Sequence, residues 1–80
     1  MHLEIITPDK KVFAGEATAV TLPGTEGQFQ VLNRHAPLVS TLGKGDAVVD
    51  TGAAKQNFVI DGGVVEVLNN KVLVLAEAVL

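Results

Sequence analysis

Eighty residues carrying a net charge of −3, no cysteine and only two histidines make one small domain, with no disulfide and with His2 and His35 a poor set of metal ligands. A chain this short buries only about 60% of its unfolded surface. A partner is then the remaining source of added stability, and an apolar content of 48% is consistent with one. The basic residues Lys10, Lys11, Arg34, Lys44, Lys55 and Lys71 form no stripe, and there is no Trp or Tyr to stack on bases, so composition speaks against nucleic acid.

No apolar run approaches the roughly 20 residues of a membrane-spanning helix. Met1-His2-Leu3-Glu4 lacks the basic and apolar stretches of a signal peptide. The expected location is the cytoplasm or a cytoplasmic face.

Short apolar runs rich in Val, punctuated by Gly, Pro, Asn and Asp, predict strands throughout, because a branched β-carbon packs well on a pleated surface. The first run, 2–7, ends at Thr7-Pro8-Asp9. Runs at 10–14 and 16–22 end at Gly15 and at Pro23-Gly24. The next covers 27–32, with Phe29, Val31 and Leu32. Ala36-Pro37-Leu38 is expected to open a short helical turn. A strand over 46–51 follows Gly43-Lys44-Gly45, and one over 56–61 ends at Asp61-Gly62-Gly63. Runs at 64–68 and 71–76 flank Asn69-Asn70, a pair suited to a two-residue hairpin turn because Asn tolerates positive φ. No segment keeps helical periodicity over three turns. Many short strands at this spacing predict an all-β, two-layer β-sandwich of mainly antiparallel strands filling residues 1–80.

The patterning carries a second message. A strand with one wet face alternates apolar and polar residues. Val64-Val65-Glu66-Val67-Leu68 and Val72-Leu73-Val74-Leu75 place apolar side chains on both faces. One face goes to the core. The other meets solvent, as scattered surface valines often do, or another protein.

Catalytic motifs fail for identifiable reasons. Gly43-Lys44 is followed by Gly45, and Leu38 stands where a phosphate-binding loop needs its first glycine. Ser40, the single serine, has His35 five residues before it but no strained elbow or oxyanion donors around it. His35 therefore has three readings: a ligand or base without company, a hydrogen-bonded residue that fixes its loop, or a contact on a partner surface. The segment from Pro23 to Leu38 reads as one long exposed loop region.

That central segment, Leu22-Pro23-Gly24-Thr25-Glu26-Gly27-Gln28-Phe29-Gln30-Val31-Leu32-Asn33-Arg34-His35-Ala36-Pro37-Leu38, resembles the signature of the epsilon subunit of F-type ATP synthases. A Gly-x-Glu-Gly turn leads into a hydrophobic strand and then His-Ala-Pro-Leu. The flanks agree in order and spacing. Ile5-Ile6-Thr7-Pro8 with Val12-Phe13-Ala14-Gly15 is similar to the family's opening hairpin, and Leu42-Gly43-Lys44-Gly45 to the lead into its next strand. Ile60-Asp61-Gly62-Gly63-Val64-Val65-Glu66-Val67 with Asn70-Lys71-Val72-Leu73-Val74-Leu75-Ala76 is similar to its closing hairpin. Gln30 stands where many members have glycine, and Arg34 where a smaller or more turn-prone residue is common.

The resemblance implies a two-sheet sandwich in the central stalk, non-catalytic and without a cofactor. It implies contacts with the gamma subunit, with the ring of c subunits, and indirectly with the α/β catalytic hexamer. The location implied is peripheral, on the cytoplasmic face of a bacterial inner membrane. Glu26, Gln28, Asn33, Arg34 and His35 are expected to form the loop facing the c-ring, with no gamma-facing residue assigned. Family members usually continue into two α-helices that inhibit hydrolysis and in some cases bind ATP. Since this sequence stops at Leu80, neither that brake nor ATP binding is expected. The rival reading is a freestanding β-sandwich module that binds a protein or ligand.

Overall fold

In the computed structural model, which describes residues 1–80, every regular element is a strand. The elements are β1 (His2–Ile6), β2 (Lys11–Glu16), β3 (Ala19–Gly24), β4 (Gly27–Leu32), β5 (Leu38–Asp50), β6 (Lys55–Leu68) and β7 (Lys71–Ala76). They hydrogen-bond as one sheet in the order β2-β1-β7-β6-β5-β3-β4. All pairs are antiparallel except β1 with β7.

That sheet folds over on itself. In a flat sheet, β1 and β3 would lie four strand spacings apart, about 19 Å. Yet Leu3 and Ile5 of β1 join Val20 and Leu22 of β3 in one cluster of 16 buried residues. Phe13 of β2 also meets Phe58 of β6 edge-on, with ring centroids 6.1 Å apart. The layers are exchanged within the two longest strands. Leu38–Leu42 and Gly63–Leu68 pair beside β7, β1 and β2 to make the first layer. Asp46–Asp50 and Lys55–Val59 pair beside β3 and β4 to make the second.

The crossing falls at the glycines. Leu42 pairs with Gly63, Lys44 with Asp61 and Gly45 with Ile60, so Gly43 faces the Asp61-Gly62-Gly63 segment across the ladder and Gly45 lies beside it. Gly62 (φ 80°) and Gly63 (φ 146°) adopt backbone conformations that L-residues rarely take. A β-carbon on Gly63 would collide with the Leu75 carbonyl oxygen, and one on Gly45 would lie 2.8 Å from the Pro23 β-carbon. Pro23 is tolerated within β3 because Leu22 and Pro23 have no β5 partner at this corner.

The two-layer all-β expectation therefore holds, with three changes of detail. Runs expected at 56–61 and 64–68 are one strand bent at Gly62-Gly63. The run expected at 46–51 is the second half of β5, which begins at Leu38 and passes through Gly43-Lys44-Gly45. In both places glycine bends a strand rather than ending it. The helical turn expected at Ala36-Pro37-Leu38 is absent; His35–Pro37 is irregular and Leu38 enters β5. The 27–32 and 71–76 runs match β4 and β7, and Asn69 (φ 51°) and Asn70 (φ 60°) form the expected two-residue turn.

Every buried side chain is apolar. Leu3, Ile5, Leu22 and Ile60, with five valines, are fully buried. Each such side chain contributes about 1.5–3 kcal/mol relative to exposure. The corner glycines should be correspondingly intolerant. Gly27→Ala meets open space and strains only the backbone (φ 129°), which costs about 1–3 kcal/mol. Gly63→Ala combines that strain with the collision at Leu75, so its denaturation midpoint should fall further than that of Gly27→Ala. Urea titration of the two variants side by side checks the order.

Candidate functional site

The five residues expected to share a loop are divided between opposite ends of the sandwich. Thr25 and Glu26 form the tight turn between β3 and β4, and Gln28 follows it, paired with Pro23. Asn33, Arg34 and His35 come after β4. The six residues of β4 hold the two groups about 20 Å apart. Sequence reasoning joined them because Gly24, Gly27 and Asn33 made the whole segment look like loop.

At the Asn70 end, the Asn33–Pro37 connection is held by its neighbours. The Arg34 backbone N–H donates to Asn70 Oδ1 (2.8 Å), which stabilises the left-handed φ of 63° at Arg34. The Met1 amino group donates to Asn33 Oδ1 and to Ala17 O (3.0 Å). His35 donates its backbone N–H to Leu32 O (3.2 Å) and its Nδ1–H to Ala36 O (2.7 Å), leaving Nε2 unpartnered on an exposed ring. One nitrogen thus fixes the loop, as the hydrogen-bonded reading of His35 expects, and the other stays exposed. None of these tethers to Met1 and Asn70 carried a sequence signal, since they join residues far apart in the chain.

At the Glu26 end, the Thr25 N–H donates to Thr41 O (3.2 Å), and the two threonine hydroxyls lie 2.8 Å apart. Glu26 and Gln28 are exposed, and Lys44 and Asp61 mark the nearby corner of β5 and β6.

The outer faces of the two layers differ in chemistry. On the first, the pairing places Thr41, Val64, Leu75, Ile6 and Lys11 in one row, and Val39, Glu66, Leu73, Glu4 and Ala14 in the next. Leu68, Lys71, His2 and Glu16 make a third. Val39 (70% exposed), Val64, Leu68 and Leu75 are four of the six large apolar side chains the molecule exposes, and all lie here. A shallow groove of about 450 Å³ runs over this face between Glu66, Leu68, Leu73 and His2. The outer face of the second layer is mostly polar: it presents Gln28, Gln30, Thr21, Asp46, Asn57 and Lys55, with Val48 and Val59 half-buried and Leu32 exposed at its edge. The apolar patterning on both faces of β6 and β7 is thus a feature of one layer.

Along the β1–β2 edge of the apolar face runs a charged strip. Glu4 accepts from His2 Nε2 (3.0 Å) and from Lys11 Nζ (3.2 Å). His2 Nδ1 lies 3.4 Å from Glu16, and the Met1 amino group 3.8 Å from the same carboxylate. The hydrogen bond from His2, followed by that from Lys11, holds the Glu4 carboxyl below its ordinary range.

An all-β sandwich with one apolar outer face and one polar one has the layout of a protein built to lie against another protein. The chain belongs to the family described as ATP synthase, Delta/Epsilon chain, beta-sandwich domain, whose model matches residues 1–80. Among similar proteins, the ATP synthase epsilon chain of Salinibacter ruber is 42% identical, over 99% of this chain and 59% of its own length. That of Maridesulfovibrio salexigens is 44% identical, over 94% of this chain and 53% of its own. The chain thus spans a little over half the length of the curated relatives it matches. A chain in a structure of Euglena gracilis mitochondrial ATP synthase (OSCP/F1/c-ring) superposes with a TM-score of 0.90 at 27% identity, over 98% of this chain and 51% of that one. A chain from the central stalk and c-ring of Tetrahymena thermophila mitochondrial ATP synthase has a TM-score of 0.87 at 17% identity, over 100% and 65%; it shares the fold.

The charged strip predicts a specific acid response. Glu4 has its pKa depressed by folding, so its contribution to stability is complete above the ordinary carboxylate value of about 4.3 and is lost as pH falls through the lower folded value. Its exposure keeps that contribution small. Glu4→Gln should therefore narrow the stability difference between pH 5 and pH 2, and leave the profile between pH 5 and 6 nearly parallel to the parent. Urea midpoints measured across this range check both parts.

Proposed function

We propose that this chain is a non-catalytic part of the central stalk of a rotary F-type ATP synthase. In this reading it couples rotation of the c-subunit ring to ATP synthesis in the α/β catalytic head, without binding a cofactor of its own. It is peripheral to the membrane that holds the ring, which for a bacterial enzyme means the cytoplasmic face of the inner membrane. Family membership over the whole chain supports the complex. The observation that carries the geometry is the gathering of Val39, Val64, Leu68 and Leu75 on one outer face.

That face, formed by β2, β1, β7 and the paired halves of β6 and β5, docks on the gamma subunit. Core-like apolar contact surrounded by charged residues is the usual anatomy of a durable interface. The Asn33–Pro37 connection goes with it, because Pro37 and Val39 border a second concavity with Glu66 and Leu68, continuous with the same surface. The Glu26 end then reaches the ring. A polar turn carrying Glu26 and Gln28 suits a wetter contact with the polar loops of c subunits. The sandwich between them is stiff: 50 backbone hydrogen bonds and a core without polar side chains leave little to deform under torque.

Paired substitutions separate the two contacts. In the assembled synthase, Glu26→Ala with Gln28→Ala should reduce ATP-driven ion pumping while ATP hydrolysis continues. Arg34→Ala with His35→Ala should weaken retention on gamma and leave coupling intact in complexes that keep the subunit. Pumping assays on membrane vesicles, alongside subunit stoichiometry after washing, distinguish them. The opposite pattern would reassign the two ends, and no effect of either pair would remove the coupling role from both.

A further inference from the structure

Glu66 stands at the centre of the apolar face and has no partner. Val39 lies opposite it across the β5–β6 ladder and Leu73 across the β6–β7 ladder. Val64 and Leu68 flank it two residues away on the same face of β6. The four ion pairs of the molecule engage Glu4 and Glu16 but not Glu66, and its carboxylate takes part in no hydrogen bond. Lys71, diagonal to it across the ladder, does not come within ion-pair distance. The contrast with Glu4 is direct. Glu4 lies in the same row on the other side of Leu73, and both its oxygens are already occupied by His2 and Lys11.

In isolation an exposed, unpaired carboxylate costs nothing, because water solvates it. Covering Val39, Leu73, Val64 and Leu68 with a partner would strip that water away. A buried charged carboxylate without a counter-charge is strongly disfavoured. A partner that seats on this face and leaves the carboxylate charged is best served by a cation at its middle. Arginine fits better than lysine, since its planar fork binds a carboxylate bidentately, its head is more weakly hydrated and its stem packs on apolar side chains.

We infer that the surface docking on this face is an apolar patch with one projecting arginine, and that Glu66 receives that arginine as the specificity-determining contact. The inference rests on the reading that this face is the gamma-binding one. It commits to an occupant: a gamma-subunit surface, apolar around a single guanidinium.

The test is the affinity of the full chain for the gamma subunit of the same synthase, assembled with its α and β subunits, measured by calorimetry. Glu66→Gln should weaken binding roughly tenfold or more, chiefly through faster dissociation, and Glu66→Lys further still. Both should keep the parent's thermal midpoint, because the side chain is exposed. Lys71→Met should leave affinity within about twofold; a loss matching that of Glu66→Gln would show that Glu66 acts through Lys71 and would overturn the arginine. Leu75→Asp, one strand away, tests the face itself. If Leu75→Asp abolishes binding and Glu66→Gln stays within about twofold, the arginine is wrong and the face stands. If neither variant changes affinity, the face is wrong and the inference falls with it.

Discussion

One hairpin holds the molecule together. β5 and β6 are paired from end to end, and each belongs to both layers of the sandwich. The remaining strands attach to one half of this ribbon or the other. Everything therefore depends on the ribbon bending without losing its pairing, and the bend is possible because glycines meet across it. Where the backbone adopts φ 146° at Gly63, hard against the Leu75 carbonyl, no other residue fits. The corner also decides the surface. It sends the apolar stripes of β6 and β7 to the outside of one layer, and it leaves the outer face of the other mostly to polar side chains.

The fold class was legible because valine-rich runs and turn residues alternate along the chain. Asn69-Asn70 named its own turn, and β4 and β7 were bounded by residues that do end strands. The ribbon was not legible, because Gly43, Gly45, Gly62 and Gly63 carry the same letter whether they terminate a strand or crease it. Only the partner strand distinguishes the two. Val39-Ser40-Thr41 held a β-branched signal for the missed first half of β5, masked by the proline before it and the glycines after it. The helical turn expected at Ala36 is replaced by an irregular connection: Arg34 is tethered to Asn70, and the chain reaches β5 only at Leu38.

The exposure of the candidate residues was legible in the sequence, and their arrangement was not. Glu26, Gln28, Arg34 and His35 are all exposed, as their types implied. Their grouping needed the length of β4, which separates a polar turn from a connection that borders the apolar face. The doubled apolar pattern in β6 and β7 announced an outward-facing surface, and the three-dimensional register showed which residues share it. The molecule thus has a broad apolar surface on one side and a small polar turn at an end.

The single parallel pairing, β1 against β7, has a consequence for how the chain is made. His2 is hydrogen-bonded beside Lys71, so β1 must wait for a strand that is made much later. Until β7 emerges, the β1–β2 hairpin has no neighbour, and Leu3 and Ile5 have no complete core to enter. At the usual 5–20 residues per second that interval is on the order of 4–14 seconds. The β3–β4 and β5–β6 hairpins close locally in the meantime and form the polar layer first. Within the sandwich the apolar face is thus completed last, appearing only once β7 lies between β1 and β6.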